Sequence, residues 1–488
     1  MSIWAGIDIG TSGVKVALFD NGEAMVAEAS VRLEVSRPEP GWSEQHPDIW
    51  WQAVLAAFDR LAADHPAHLA ALGGIGLSGQ MLGTVLVDEA GQPVGDTILW
   101  NDQRAVAECA ELAGAAPEMM RRGLGAPDPG FGAPKLLWLQ RNRPEEVARV
   151  AMLLLPKDYV RLRLTGETAT EPSDAVGLLL MDRATRQWDP AFCAAVDWPM
   201  EKLPPVVGSW EAAGSLSADL TRRWGTPADV PVAAGAGDNA AAAIGVGAAT
   251  AGSAMVTIGT SAVVCGVDAG DHPAPERAVL TTAHAAPDLF LSMGVVMSAT
   301  ASLDWLGRIT GVEVPALVAL ADEAFASGAW RAAPVMRPSF SGIRTPHNRP
   351  DVGGIIDGLT HQSDRGLLAY SLLEGVAFQI AECADAQREA GVSFTAASLV
   401  GGGARSPLWG QLVATLMDLP LDVPADAALG ANLGAARLGR VAATGELARL
   451  AAPVPIARTD APVAGAATAL RTRYEDYKAL ALTPYRRA

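Results

Sequence analysis

One carboxylate stands out by its neighbours. Asp238 sits in Gly235-Ala236-Gly237-Asp238-Asn239, after a strand-like run from Pro231 to Ala234 and before an Ala-rich helical stretch. A carboxylate placed after two glycines at a helix start faces open space, where it can take a proton from a substrate hydroxyl. The same position also suits a plain helix N-cap, worth about 1 kcal/mol. A second group, Gly10-Thr11-Ser12-Gly13, has what a phosphate loop needs. Its glycines let backbone amides turn inward, and Thr11 and Ser12 add hydroxyl donors. Asp8, just before it, offers oxygen to a hard cation such as Mg²⁺. An ordinary tight turn is the other use of those residues. A third group, Gly401-Gly402-Gly403-Ala404-Arg405-Ser406, lies between a predicted strand and a predicted helix. Bare backbone there lets a flat ring or a phosphate lie against the chain.

These groups need elements to hold them. Ile7 and Ile9 end a predicted strand, and Val14, Val16 and Leu18 alternate along a second one. Asp20-Asn21-Gly22 is a turn signal, and Met25 to Ala29 a third strand. About half the chain later, Val256-Thr257-Ile258-Gly259-Thr260-Ser261-Ala262-Val263 repeats the pattern of Ile7 to Val14. Two domains of like topology, each with a Gly-Thr-Ser hairpin, explain the repeat; chance likeness of two hairpins is the alternative. Only the first copy carries the carboxylate, because Thr257 replaces Asp8 and Val264 replaces Lys15. The small residues from Gly245 to Gly252 suit a hinge, which divides the chain into 1–244 and 245–488. A chain of 488 residues is long enough for two cores of roughly 250 residues each. Leu367 to about Glu389 is expected as a long core helix, with Gly375 at a close helix contact, and a last helix is expected near 471–480.

Bulk properties narrow the function. A net charge of −17 argues against a nucleic-acid partner. The four cysteines are far apart, without metal-ligand spacing, as expected of free thiols in a reducing cytoplasm. The start lacks a signal-peptide pattern, and no run approaches the ~18–20 apolar residues of a membrane span. No Gly-Lys-Ser or Gly-Lys-Thr occurs, which excludes a Walker A loop. Gly235 to Ala240 fits the dinucleotide fingerprint on paper, but no acidic residue follows between Asn239 and Val267. A nicotinamide dehydrogenase is therefore the fallback rather than the reading. Gln80-Met81 and Trp100-Asn101-Asp102 close predicted strands, where polar groups beside an indole suit a small sugar. Trp100 is equally at home in a core.

The segments GIDIGTSGVKV, SRPEPGWSEQHPDIWW, ILWND, APKLLW, LLPKDYVRLRLTGE, GAGDNAAAAIGVG, IGTSAVV, RTPHNRP, GLTHQ and LVGGGARS resemble, in order, those of the FGGY carbohydrate kinases, most closely the bacterial xylulokinases. The resemblance implies an α/β chain of two ribonuclease-H-like domains of the actin/hexokinase superfamily around a central cleft. It implies ATP-dependent phosphorylation of D-xylulose at its 5-hydroxyl by a cytoplasmic enzyme, with a homodimer as its family-level assembly. By position, Asp238 matches the catalytic base, and Asp8 with Asp238 the Mg²⁺ site. Gly10, Thr11, Ser12 and Lys15, with Gly259, Thr260 and Ser261, match the phosphate loops. Gly402, Gly403 and Ala404 match the nucleotide pocket. Gln80, Met81, Leu82, Trp100, Asp102 and Asn239 fall at the sugar. Leu82 departs from the usual His of Gln-Met-His-Gly, and Gly132 from the Ser or Thr before Ala-Pro-Lys. An apolar Leu82 also admits another pentulose, a deoxy-ketose or a pentitol as substrate. A non-catalytic sugar sensor on the same scaffold is the reading from another class; retention of Asp8 and Asp238 argues against it.

Overall fold

The computed structural model describes residues 2–125, 128–426 and 430–484. The chain forms two compact units. The first comprises Met1–Ala249, Thr281–Leu291 and Leu429–Pro453; the second takes the remainder. These compact units are not contiguous stretches of chain, because two later segments return to the first one.

In the first unit, Ile3–Ile9, Gly13–Phe19 and Met25–Arg32 form an antiparallel meander. Leu72–Gly79 pairs parallel to Ile3–Ile9, Pro231–Ala233 pairs parallel to Leu72–Gly79, and Ala212–Ser215 closes that edge antiparallel. Alternation sends Ile7, Ile9, Val14 and Val16 into a core with Trp50 and Phe58 of the helix Pro47–Asp64. In the second unit, Ser253–Ile258 and Ala262–Asp268 form an antiparallel hairpin. Ala396–Val400 and then Leu421–Pro424 add parallel, and Ile456–Asp460 closes antiparallel. The two units thus repeat the same sequence of pairing senses around their Gly-Thr-Ser hairpins.

The other face of the first sheet is covered by Gly430–Thr444, a helix from late in the chain. It sits backbone against backbone. A Cβ on Gly6 would collide with the Asn432 carbonyl, one on Gly76 with the Ala435 carbonyl, and one on Gly434 with the Ala241 carbonyl. The Asn432 side-chain amide donates to the carbonyls of Gly6 and Lys15 at 3.1 and 3.0 Å. Small residues on three elements permit this approach, and sequence periodicity does not reveal it.

In the second unit, the expected long helix runs Arg365–Ala390. Its length and composition alone would allow a membrane span, but 94% of its apolar window is buried, so it is a core helix. Gly375 does mark a close approach, but to Met336 of the strand Val335–Arg337 rather than to another helix. The last described helix spans Ala464–Ala479, longer than expected.

Candidate active site

Three neighbouring strands of the first unit bring the acidic groups together. In the sheet register Asp8 lies beside Ser78, and Ser78 beside Ala236. Asp238 follows two residues later, as the first residue of the helix Asp238–Gly245. It is not the N-cap, since Gly237 takes that position. Gly235 makes the entry possible: its φ is +89°, and a Cβ there would crowd the Leu77 carbonyl at 2.6 Å.

The half-buried Asp238 carboxylate is held on one side only. Its Oδ1 accepts from the Asn239 amide at 2.7 Å and the Asn239 side chain at 2.9 Å. Among the described residues no group donates to Oδ2. Burial, then the negative charge of Asp8, pushes Asp238 up to about 7, against the hydrogen bonds from Asn239. Burial also raises Asp8, opposed by the Ser78 hydroxyl at 2.9 Å and the charge of Lys15. A carboxylate whose proton affinity is raised by a second one beside it makes, with that neighbour, a seat for a cation. No cluster of three or more His, Cys, Asp or Glu that could hold a metal occurs among the described residues. A pair is what Mg²⁺ takes when waters and phosphate oxygens complete its shell.

Were Asp238 to act as the proton acceptor expected from the sequence, it would have to be ionised. The expected kcat/KM therefore falls about tenfold per pH unit below a midpoint near 7, and a bound cation moves that midpoint lower. A pH–rate profile checks this; a flat line from pH 4 to 8 would contradict it.

The residues expected at the sugar converge on the same corner. Gln80 is buried at the end of Leu72–Gly79, and the Met81 sulfur lies 3.0 Å from where a Gly237 Cβ would be. Trp100 is 46% exposed, and its indole N–H donates to the Thr11 hydroxyl at 3.1 Å. Leu82 has a φ of +71°, and its side chain lies against Gly177. The buried Lys135 ammonium donates to the carbonyls of Leu82 and Ile98 at 2.8 and 3.2 Å, tying together the two segments that lead to Met81 and Trp100.

Some expected ligand residues have other partners. Asp102 is buried, its Oδ2 accepting from the Ser43 amide at 2.6 Å and its carboxylate clamped by Arg104. Arg104 also binds Glu44 and lies over the Trp42 ring at 3.7 Å, so Asp102 shapes the loop that bears Trp100. Lys15 pairs with Glu28 at 2.9 Å. The Asn239 side chain orients Asp238. The Thr11 hydroxyl both accepts from Trp100 and donates to Gln80, so it is engaged within the chain, whereas Ser12 is exposed.

In the second unit the hairpin loop is pinned by the helix Thr300–Thr310. Ala299 donates to the Thr260 carbonyl at 2.8 Å, and Thr300 to the Gly259 carbonyl at 2.9 Å. Thr260 and Ser261 remain exposed beside that helix start, whose first amides are taken by the Gly259 and Thr260 carbonyls. Gly401, at φ +90°, turns the chain against Ile258. Gly402 and Gly403 then line a cavity of about 550 Å³ with Leu303, Asp304, Val318 and Trp409. Ala404 is buried beneath it.

Sequence reasoning passed over the groups behind Asp238. Lys157 is wholly buried among Asp158, Glu171 and Asp174 at 2.9, 3.2 and 3.4 Å. The Glu171 carboxylate accepts from the Ser209 hydroxyl, and the Ser173 hydroxyl from the Gly237 amide at 3.1 Å. Burial holds Asp174 well above the carboxylate range, and the charges of Glu171, Asp158 and Asp238 add to it against that of Lys157. The available signal was charge inside the otherwise apolar LLPKDYV and APKLLW segments.

Residues 3–245 match the N-terminal domain of the FGGY family of carbohydrate kinases, and residues 254–443 match its C-terminal domain. The chain belongs to that family. It is 42% identical over 446 residues to a xylulose kinase of Escherichia coli K12, covering 91% of each chain. It is 41% identical over 443 residues to a xylulose kinase of Klebsiella pneumoniae, covering 90% of each. The crystal structure of a xyloylose kinase from Brucella ovis superposes with a TM-score of 0.93 at 40% identity, covering 98% of each chain. The chain is thus a phosphotransferase with an alcohol group as acceptor, on the expected actin/hexokinase-like fold.

Proposed function

We propose that this enzyme transfers the γ-phosphoryl group of ATP to the 5-hydroxyl of D-xylulose, with Asp238 as general base. The observation that carries the reading is the Asp238 carboxylate, one oxygen fixed by Asn239 and the other open, in a chain with this likeness to xylulose kinases. The open oxygen accepts the hydroxyl proton as the new O–P bond forms. Met81, Leu82 and the exposed Trp100 face bind the sugar, and Gln80 holds that corner from within. The Gly10–Ser12 and Gly259–Ser261 loops, whose first glycine amides close the hairpins onto the Gly13 and Ser261 carbonyls, present the amides of Thr11, Ser12, Thr260 and Ser261 to phosphate oxygens, and the cavity at Gly402 and Gly403 takes the base. Positioning and charge stabilisation supply most of the rate in such transfers. Mg²⁺, when bound, would be held by Asp8 and Asp238 and would offset phosphate charge.

A screen for sugar-dependent ADP release tests the substrate. D-xylulose is expected to give the highest kcat/KM among pentuloses, deoxy-ketoses and pentitols; a better turnover of any other would overturn the assignment. Leu82→His refines the test. The left-handed backbone at Leu82 is one that His adopts more readily than Leu, so the change should fold. A buried His ring left without a sugar hydroxyl partner costs about 1–3 kcal/mol, so the ranking should shift toward hydroxylated over deoxy sugars by about tenfold. An unchanged ranking would remove Leu82 from the specificity wall.

A further inference from the structure

The Thr11 side chain stands between the indole face that faces the sugar and the loop that faces phosphate. Trp100 Nε1 donates to Thr11 Oγ1 at 3.1 Å, and that hydroxyl donates to Gln80 Oε1 at 2.8 Å. Gln80 Nε2 donates to Gln45 Oε1 at 3.1 Å, and Gln45 Nε2 returns to the Thr11 carbonyl at 2.8 Å. Gln45 is otherwise saturated: its Oε1 also accepts from the buried Trp50 at 3.0 Å, and its Nε2 also donates to the Glu34 carbonyl at 2.9 Å. Both glutamines are 2% exposed. Each donor and acceptor has its direction fixed by the next, so the ring has one arrangement and Thr11 is gripped at both side chain and backbone. The one exposed member is Trp100.

From this we infer that Gln45 and Thr11 are positioning residues that couple sugar binding at Trp100 to nucleotide binding at the Gly10–Ser12 loop. The inference rests on the proposed sugar and phosphate assignments. A sugar stacked on the indole fixes the indole N–H, which fixes the Thr11 hydroxyl and with it the loop amides. Each ligand then binds more tightly when the other is present, by the same factor.

Calorimetry with a non-hydrolysable ATP analogue, Mg²⁺ and D-xylulose tests it. In the unaltered enzyme, saturating D-xylulose should tighten nucleotide binding by about fivefold or more. Trp100→Phe keeps an aromatic face, though a smaller one, and loses the N–H donor; Thr11→Val loses both hydroxyl bonds. Each should cut the coupling to less than about twofold, whereas Thr11→Ser, which keeps the hydroxyl, should retain it. Trp100 is exposed, so its variant should fold even where a buried change does not. Undiminished coupling in Trp100→Phe, or binding of both ligands to the unaltered enzyme without coupling, would overturn the relay alone. No binding of D-xylulose to the unaltered enzyme would overturn the substrate reading, and the relay with it.

Discussion

Asp238→Asn is expected to lower kcat by about 10²–10⁴-fold, the range that one general base contributes, while leaving the affinity for the sugar within a few-fold. The amide fills the same space and can still face Asn239, so the corner keeps its shape. What it loses is the ability to accept the hydroxyl proton through the open oxygen. The same change should alter stability in a defined direction. The folded-state pKa of Asp238 is about 7, above the ordinary carboxylate value. Between about pH 4 and 7 the folded chain therefore keeps a proton that the unfolded chain releases, and stability falls as pH rises through that window. Above it the full cost of the buried charge is present. The asparagine variant escapes that cost, so its Tm should exceed that of the parent at pH 8 and match it at pH 4. Unfolding curves at the two pH values check the sign. A variant that lost activity and was also less stable at pH 8 would be a damaged fold rather than a missing base.

Lys157→Met should be the most destabilising single change near the site. The ammonium is wholly buried and faces three carboxyl groups within 3.4 Å. Burial alone would lower its pKa, but Asp158, Glu171 and Asp174 hold it above the ordinary lysine value, so it stays charged. Removing one partner of such a group leaves buried negative charge uncompensated, at a cost of about 3–5 kcal/mol. For a unit of this size that is a fall in Tm of about 10 °C. Turnover should drop as well, because the Ser173 hydroxyl in this cluster accepts from the Gly237 amide next to Asp238. A Tm within 2 °C of the parent would show that the carboxyls simply take up protons. Asp174, already raised well above the carboxylate range, is the group most prepared to do so.

The legible parts of this protein were local ones. The paired hairpins announce themselves because strand alternation and a Gly-Thr-Ser turn occupy eight consecutive residues. Asp238 was legible because its glycines and its helix adjoin it. The covering helix Gly430–Thr444 was not, since it meets Gly6 and Gly76 across more than half the chain, and small residues give no periodic signal. Gln45 was missed for a related reason: its partners at Thr11 and Gln80 lie 34 and 35 residues away. Asp102, expected at the sugar, and Lys15, expected at the phosphate loop, have partners in Arg104 and Glu28 that the motif spacing did not show.

The account stands most directly on one product. The enzyme, Mg-ATP and D-xylulose should yield ADP and a ketopentose phosphate in equal amounts. Phosphorus and carbon NMR should place the phosphate on the 5-hydroxyl, and the Asp238→Asn variant should yield almost none. ADP release independent of sugar, a phosphate on another hydroxyl, or near-parental turnover by the variant would contradict it.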